Sequence, residues 1–321
     1  MAVAGTASAS AAAPVPPVDM DVLHVQVILD HLGFSPGVLD GRPGQSLTAA
    51  LEAFQESRGI PETGKIDRQT IWALHPYAHW RPVVRIALTE EMLAGPFVSP
   101  FPRDPEAQAK LPAMAYRNAI EKLAERFHTK PQVLVALNSY ETRVKVGAVL
   151  RFPNAVPDST DYPASLDPEW RRTLAGLNVE AKVPEAAEVV VDKSEKTLSV
   201  YDADGRRVAM FSATMGSEHD PLPIGTWKIQ GASYNPKFHY NPQLFWDVSD
   251  AKRKLLLPAG PNGPVGVVWL DLSKPHYGIH GTPAPETIGR AESHGCIRLT
   301  NWDVARLSLM VKPGTPAIFQ E

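Results

Sequence analysis

Hydrophobic positions recur at helical spacing in the first quarter of the chain. Val25, Ile28, Leu29 and Leu32 stand at i, i+3, i+4 and i+7, and the run stops at Gly33. After a turn-rich stretch holding Gly37, Asp40, Gly41, Pro43 and Gly44, the spacing returns with Leu47, Ala50, Leu51 and Phe54, and Ser46 is placed to cap that helix. Gly59 and Pro61–Gly64 end it, and Asp67 can cap a third short helix reaching Ile71 and Leu74. Residues 21–75 are therefore expected to form a small bundle of three helices. A second helical face, Ile120, Leu123, Ala124 and Phe127, precedes a short helix opened by Pro131 and carrying Val133, Leu134 and Leu137. Val149 to Phe152 reads as a strand closing this α+β module, at about 114–155 within a connector over 76–155.

From Glu188 the period changes to two. Val189 and Val191, Leu198 and Val200, then Val208 and Met210 alternate with polar neighbours, and Asp204-Gly205 marks a hairpin between two of these runs. Further strands are expected at Thr226–Ile229, Gly266–Leu272 and Tyr277–His280, with one helix over Asp303–Val311. The carboxyl half, 188–320, is thus a mostly β domain. Between the two halves, residues 156–187 carry Pro157, Pro163, Pro168 and Pro184, few periodic positions and one short helix near Trp170, the pattern of a linker.

Composition narrows the class. The 321 residues are 44% hydrophobic and 21% charged with a net charge of −3, which fits folded domains and offers no basic stripe for nucleic acid. No apolar run approaches the roughly 18 residues of a membrane-spanning helix. Residues 1–20 form an Ala/Ser/Pro-rich leader, expected to be disordered. It has neither the basic nor the apolar segment of a complete signal peptide, and fits the stretch that follows a cleaved one.

The chain has one cysteine, in Ser293-His294-Gly295-Cys296-Ile297-Arg298, and an upstream histidine in Ile279-His280-Gly281-Thr282. A thiol attacks as thiolate and needs a base within reach. His294 is two residues from Cys296 and rigidly spaced, whereas His280 ends a separate strand and is free to face the thiol across a sheet. Gly295 has no side chain to block a carbonyl, and its amide and that of Cys296 can address an oxyanion. The Gly281 carbonyl can fix the His280 tautomer. A zinc site from His276, His280, His294 and Cys296 is the rival. In a strand, His276 and His280 lie about 13 Å apart, too far to share one ion.

These residues carry a resemblance. His280-Gly281-Thr282, Ser293-His294-Gly295-Cys296 and Pro223-Ile224-Gly225-Thr226 resemble the L,D-transpeptidase (YkuD) catalytic domain over about 187–319. Residues 21–75 resemble the peptidoglycan-binding-1 family through Leu39-Asp40-Gly41, Ala53-Phe54-Gln55 and Thr63-Gly64-Lys65-Ile66-Asp67. Leu123–Phe127, Leu137-Asn138, Val146-Gly147 and Phe152-Pro153 resemble a LysM repeat lacking its usual Gly-Asp-x-Leu opening, and a helical spacer is the alternative there.

The resemblance implies a YkuD-like β-sandwich with Cys296 as acylated nucleophile, His280 as base and Gly281 as its orienter. Ser293, His294 and Gly295 would shape the thiol pocket and oxyanion hole. Arg298 stands where many members carry Asn and could pair with a substrate carboxylate, or be a structural cross-strand residue. His239, Tyr240 and Trp246 lie in a long loop that could line the donor groove. The implied substrate is a peptidoglycan tetrapeptide stem, with D-alanine released and the acyl group passed to an amine in a 3-3 cross-link. Water as acceptor would give an L,D-carboxypeptidase, and a lipoprotein lysine an anchoring enzyme. No cofactor or metal is implied, and the location would be exported, in periplasm or cell wall. The alternative from another class is a wall-binding protein with a decayed catalytic domain, which the intact His280/Cys296 pair argues against. The linker could be slack or docked, and deletion of residues 1–155 is expected to spare turnover of small soluble stems, its loss meaning that the modules build part of the active site.

Overall fold

The computed structural model describes residues 17–241, 253–290 and 295–321. The leader to residue 16, Trp246, Ser293 and His294 lie outside the described residues. Helix α1 (Met20–Leu32) starts where the Asp19 carboxylate accepts the Asp21 and Val22 amides and stops at Gly33, whose φ of 90° ends the helix. Strand β1 (Phe34–Ser35), α2 (Gln45–Ser57) and α3 (Arg68–Leu74) follow. Asp67 caps α3 by accepting the Thr70 amide, whereas α2 begins one residue before Ser46, on Gly44, with no side-chain cap. Val25, Ile28, Leu29, Leu47, Ala50, Leu51, Phe54 and Leu74 bury together as the bundle core.

The middle module begins earlier than its helices suggest. It comprises β2 (Val83–Ala87), α4 (Glu90–Leu93), α5 (Pro105–Gln108), α6 (Ala119–Arg126), α7 (Pro131–Asn138) and β3 (Val149–Pro153). β3 pairs antiparallel with β2, Val149 opposite Ala87 and Pro153 opposite Val83, so the unit closes on a strand far upstream of residue 114. β2 has no buried position of its own and hence no period-two signature. Phe127 stacks on Phe152 at a centroid distance of 4.1 Å, within a core that includes Leu88, Met92, Leu123 and Leu134.

The stretch 156–187, expected as a linker, is not one. Its helix α8 (Pro168–Gly176) drives Trp170 and Leu174 into the core of the carboxyl domain, and Leu177 and Val179 follow. Four apolar side chains buried with the sheet hold it as part of that domain.

The carboxyl domain contains β4 (Glu188–Asp192), β5 (Thr197–Tyr201), β6 (Arg207–Ser212), β7 (Thr214–Met215), β8 (Gly225–Tyr234), β9 (Phe238–Tyr240), β10 (Leu255–Leu257), β11 (Val268–Leu272), β12 (Gly278–His280), β13 (Ile297–Arg298), α9 (Asn301–Met310) and β14 (Pro316–Gln320). Among the described residues the main sheet runs β1-β6-β5-β4-β14-β8-β11-β12-β13-β7. The ten-residue β8 pairs with β14 through its first half and with β11 through its second, linking two halves of the sheet. Val189, Val191 and Leu198 from one half share a core with Leu270, Ile279 and Ile297 from the other, and α9 adds Trp302, Val304 and Leu307. No helix among the described residues is long and apolar enough to cross a membrane.

The modules are docked. β1 adds to the edge of β6 in parallel, Phe34 opposite Met210, and Met210 belongs to the bundle's core. Arg306 of α9 donates to the carbonyls of Asp30 and His31 at 2.7 and 3.1 Å, at the carboxyl end of α1. His128, following α6, bonds Asp30 through Nδ1 at 2.9 Å and the Leu177 carbonyl through Nε2 at 2.8 Å. Met114 of the middle module donates to the Ala259 carbonyl at 2.8 Å and accepts the Asn262 amide at 2.9 Å. Of the two arrangements open for 156–187, slack or docked, the structure shows the docked one, and removing residues 1–155 would bare all of these groups.

Candidate active site

Three short strands place the chemistry. β12 lies between β11 and β13, with His280 opposite Trp269 on one side and opposite Arg298 on the other. The β12–β13 pair is parallel. Since side chains alternate, Cys296 falls on the same face as Arg298 and His280, just before β13. Across from it is Gly278, whose backbone bonds the thiol and whose missing side chain leaves room for the Trp269 indole. Cys296, His280, Arg298, His276 and Trp269 all line one pocket of about 600 Å³, with His239, Phe238, Pro264 and Val265 as further wall.

His280 is 4% exposed, and its Nδ1 lies 2.7 Å from the Gly281 carbonyl. A carbonyl only accepts, so Nδ1 carries the proton and Nε2 keeps its lone pair. The ring stacks on Trp269 at 5.4 Å, which holds its plane. Burial pushes the imidazole pKa down to about 4; the Arg298 guanidinium adds to this, and the Gly281 bond opposes it. The imidazole is therefore neutral near pH 7.

Cys296 is partly buried and its thiol donates to the His276 carbonyl at 3.8 Å. Burial raises its pKa, with the Gly278 amide and Arg298 pulling the other way and Asp220 adding to the rise. The pocket thus holds a neutral imidazole and a thiol whose pKa is raised, rather than the thiolate–imidazolium pair of some other cysteine enzymes. Gly295 has φ of +91°, and a Cβ there would meet the Tyr277 ring at 2.7 Å. Only glycine fits, which keeps bare backbone beside the thiol.

The structure thus brings Cys296, His280, Gly281, Gly295 and Arg298 together. Trp269 of β11 stacks on the His280 ring, and neither it nor Asp220 nor the His276 carbonyl left a local sequence signal. His276 sits with φ of 69°, so its backbone rather than its ring addresses the thiol. Among the described residues no three His, Cys, Asp or Glu side chains are grouped to hold a metal, and His294 is outside them.

A buried, tautomer-fixed imidazole and the chain's one thiol line the same pocket on one face of a mixed sheet, the residue types that cysteine acyl transfer requires. In comparison with known proteins, residues 186–319 match the family described as "L,D-transpeptidase catalytic domain", and residues 19–74 match the family described as "Putative peptidoglycan binding domain". The protein named "Putative L,D-transpeptidase YkuD" of Bacillus licheniformis is 58% identical over 127 residues, 40% of this chain and 61% of its own. "Probable L,D-transpeptidase YbiS" of Escherichia coli K12 is 31% identical over 134 residues, 41% of this chain and 44% of its own. The matches therefore span less than two thirds of these curated relatives. Among solved structures, an L,D-transpeptidase from Mycobacterium smegmatis is 23% identical, covering 56% of this chain and 76% of its own with a TM-score of 0.34.

Proposed function

We propose that the protein is a cysteine-dependent L,D-transpeptidase acting on peptidoglycan tetrapeptide stems. The observation that carries this reading is the His280 tautomer, fixed by Gly281, in the pocket that holds the only thiol in the chain. The thiol proton passes to His280 Nε2 as sulfur attacks the carbonyl of stem residue three. The Gly295 and Cys296 amides receive the oxyanion. Collapse breaks the amide bond, the proton on Nε2 goes to the leaving amine, and D-alanine departs from a thioester. An acceptor amine then gives its proton to Nε2, attacks the thioester and restores the thiol, giving a 3-3 cross-link. Ser293 and His294 would complete the thiol pocket, and Arg298, mostly buried beside it, would pair with a stem carboxylate.

The amino-terminal bundle would hold the enzyme on peptidoglycan and raise the local concentration of stems. The middle module, with helices α6 and α7 between paired strands β2 and β3, supports the LysM-like reading. An exported location follows from the substrate.

Incubation with a disaccharide-tetrapeptide tests the reading by its products. Free D-alanine together with cross-linked dimer supports the transferase. D-alanine with tripeptide alone makes the protein an L,D-carboxypeptidase. Absence of D-alanine, with retention on peptidoglycan, leaves a binding protein.

A further inference from the structure

Asn301, the first residue of α9, is wholly buried and stands behind the catalytic base. Its Oδ1 accepts the Val267 amide at 3.2 Å and lies against Gly266 and Gly281, where a Cβ on either glycine would collide with it. The Gly281 amide donates to the Val265 and Val268 carbonyls at 3.1 and 3.3 Å, while its own carbonyl takes the Nδ1 proton of His280 at 2.7 Å. The position of the Asn301 oxygen therefore sets the position of the peptide that orients His280.

The other end of that amide is held from a different module. Asn301 Nδ2 donates to Glu125 Oε1 at 2.8 Å and to the Pro261 carbonyl at 3.1 Å. Glu125 belongs to α6, is 7% exposed, and receives the Tyr116 hydroxyl on Oε2 at 2.5 Å. Both carboxylate oxygens are thus occupied by donors, one of which is the brace of the active site. Met114, two residues before Tyr116, grips the loop at Ala259 and Asn262 that leads to Pro264 and Val265 in the pocket wall.

We propose that Glu125 is a positioning residue for the base, acting through Asn301 and the Gly281 peptide, so that the middle module helps build the active site. The expected effect on rate rests on the acyl-transfer reading; the expected effect on His280 does not. Without Glu125 the Asn301 Nδ2 keeps only the Pro261 carbonyl as acceptor, and the side chain is held less firmly. The Gly281 carbonyl then drifts from Nδ1, and the tautomer and aim of Nε2 are lost. Displacements of this size cost up to about 10²-fold in rate.

The test uses the full-length chain with Glu125→Ala and Glu125→Gln, reading D-alanine release and the His280 Nδ1–H resonance in ¹⁵N-labelled protein. Glu125→Ala is expected to lower kcat roughly ten- to a hundredfold at unchanged KM, and to speed exchange of the His280 proton. Glu125→Gln, which keeps an oxygen for the Asn301 donor, is expected to retain most of both. If the alanine variant fails to fold, Glu125→Met fills the space without an acceptor and is judged by the same two readings. A folded variant lacking the acceptor, with wild-type kcat and an unaltered His280 resonance, overturns the proposal. If the wild type itself releases no D-alanine, the acyl-transfer reading fails, and the His280 resonance alone decides the role of Glu125.

Discussion

Two buried histidines separate the module junction from the catalytic pocket. Each stacks on a tryptophan, His128 on Trp302 at 5.1 Å and His280 on Trp269 at 5.4 Å. Both are almost fully enclosed, at 7% and 4% exposure. At His128 both ring nitrogens meet acceptors, the Asp30 carboxylate and the Leu177 carbonyl. Only the doubly protonated ring can donate to both, so this histidine is a cation. At His280 one nitrogen meets a carbonyl and the other faces the thiol pocket near Arg298. Burial alone lowers both. The Asp30 charge overturns it at His128, whose pKa is raised, whereas Arg298 deepens it at His280, down to about 4. The partner of the second nitrogen, more than the degree of burial, keeps one ring charged as a structural clamp and leaves the other neutral, as the proposed base must be.

The largest expected effect is a crossed result. His280→Ala should lower acyl transfer by at least about 10²-fold while leaving the junction intact. His128→Ala should destabilise the fold by about 3 kcal/mol or more, because it strands a buried carboxylate, and leave the rate of folded molecules unchanged. Thermal unfolding and D-alanine release, measured on both variants, would show whether the roles separate.

Next in size is deletion of residues 1–155. It strips β1 from the edge of β6, leaves Arg306 without its α1 carbonyls and removes Glu125 from Asn301. The fragment is expected to lose at least roughly tenfold in kcat on a soluble tetrapeptide. Undiminished turnover would show that the docked modules only tether.

A smaller effect distinguishes the histidines by pH. His128 has a raised folded pKa, so its stabilisation is complete below 6.5 and is lost as pH rises through the folded value. Asp30 is lowered, and its share persists above 3.8 and fades as pH falls through its folded value. The destabilisation caused by His128→Gln should thus be greatest between these limits and shrink toward high pH, as followed by Tm. His280, lowered to about 4, works oppositely: its neutral form contributes stability above 6.5 that is lost as pH falls toward 4. In the smallest effect, Arg298→Gln should move the acid limb of kcat/KM upward from near 4, since the guanidinium adds to the depression of the His280 pKa.

The helices of 21–75 and the alternating strands after Glu188 were legible because each buries one regular face against its own neighbours. The His280, Gly281 and Cys296 constellation was legible because two short motifs surround the only thiol. The docking was not. It is made by Asp30, His128, Arg306, Glu125 and Asn301, polar side chains that a local reading assigns to solvent and that find partners only across modules. Glu125 and Asn301 are separated by 176 positions, and nothing in either neighbourhood announces the other. The prolines of 156–187 masked Trp170 and Leu174, whose burial needs a sheet that starts later in the chain.

The central claim is that Cys296, relieved of its proton by a neutral His280, is acylated by the stem. Intact-protein mass spectrometry after brief incubation with a disaccharide-tetrapeptide tests it most directly, with Cys296→Ala alongside. The account predicts an adduct of the stem less D-alanine on the wild type, none on the variant, and D-alanine released with the adduct. An unmodified wild type with no D-alanine released, or an adduct that survives Cys296→Ala, would contradict it.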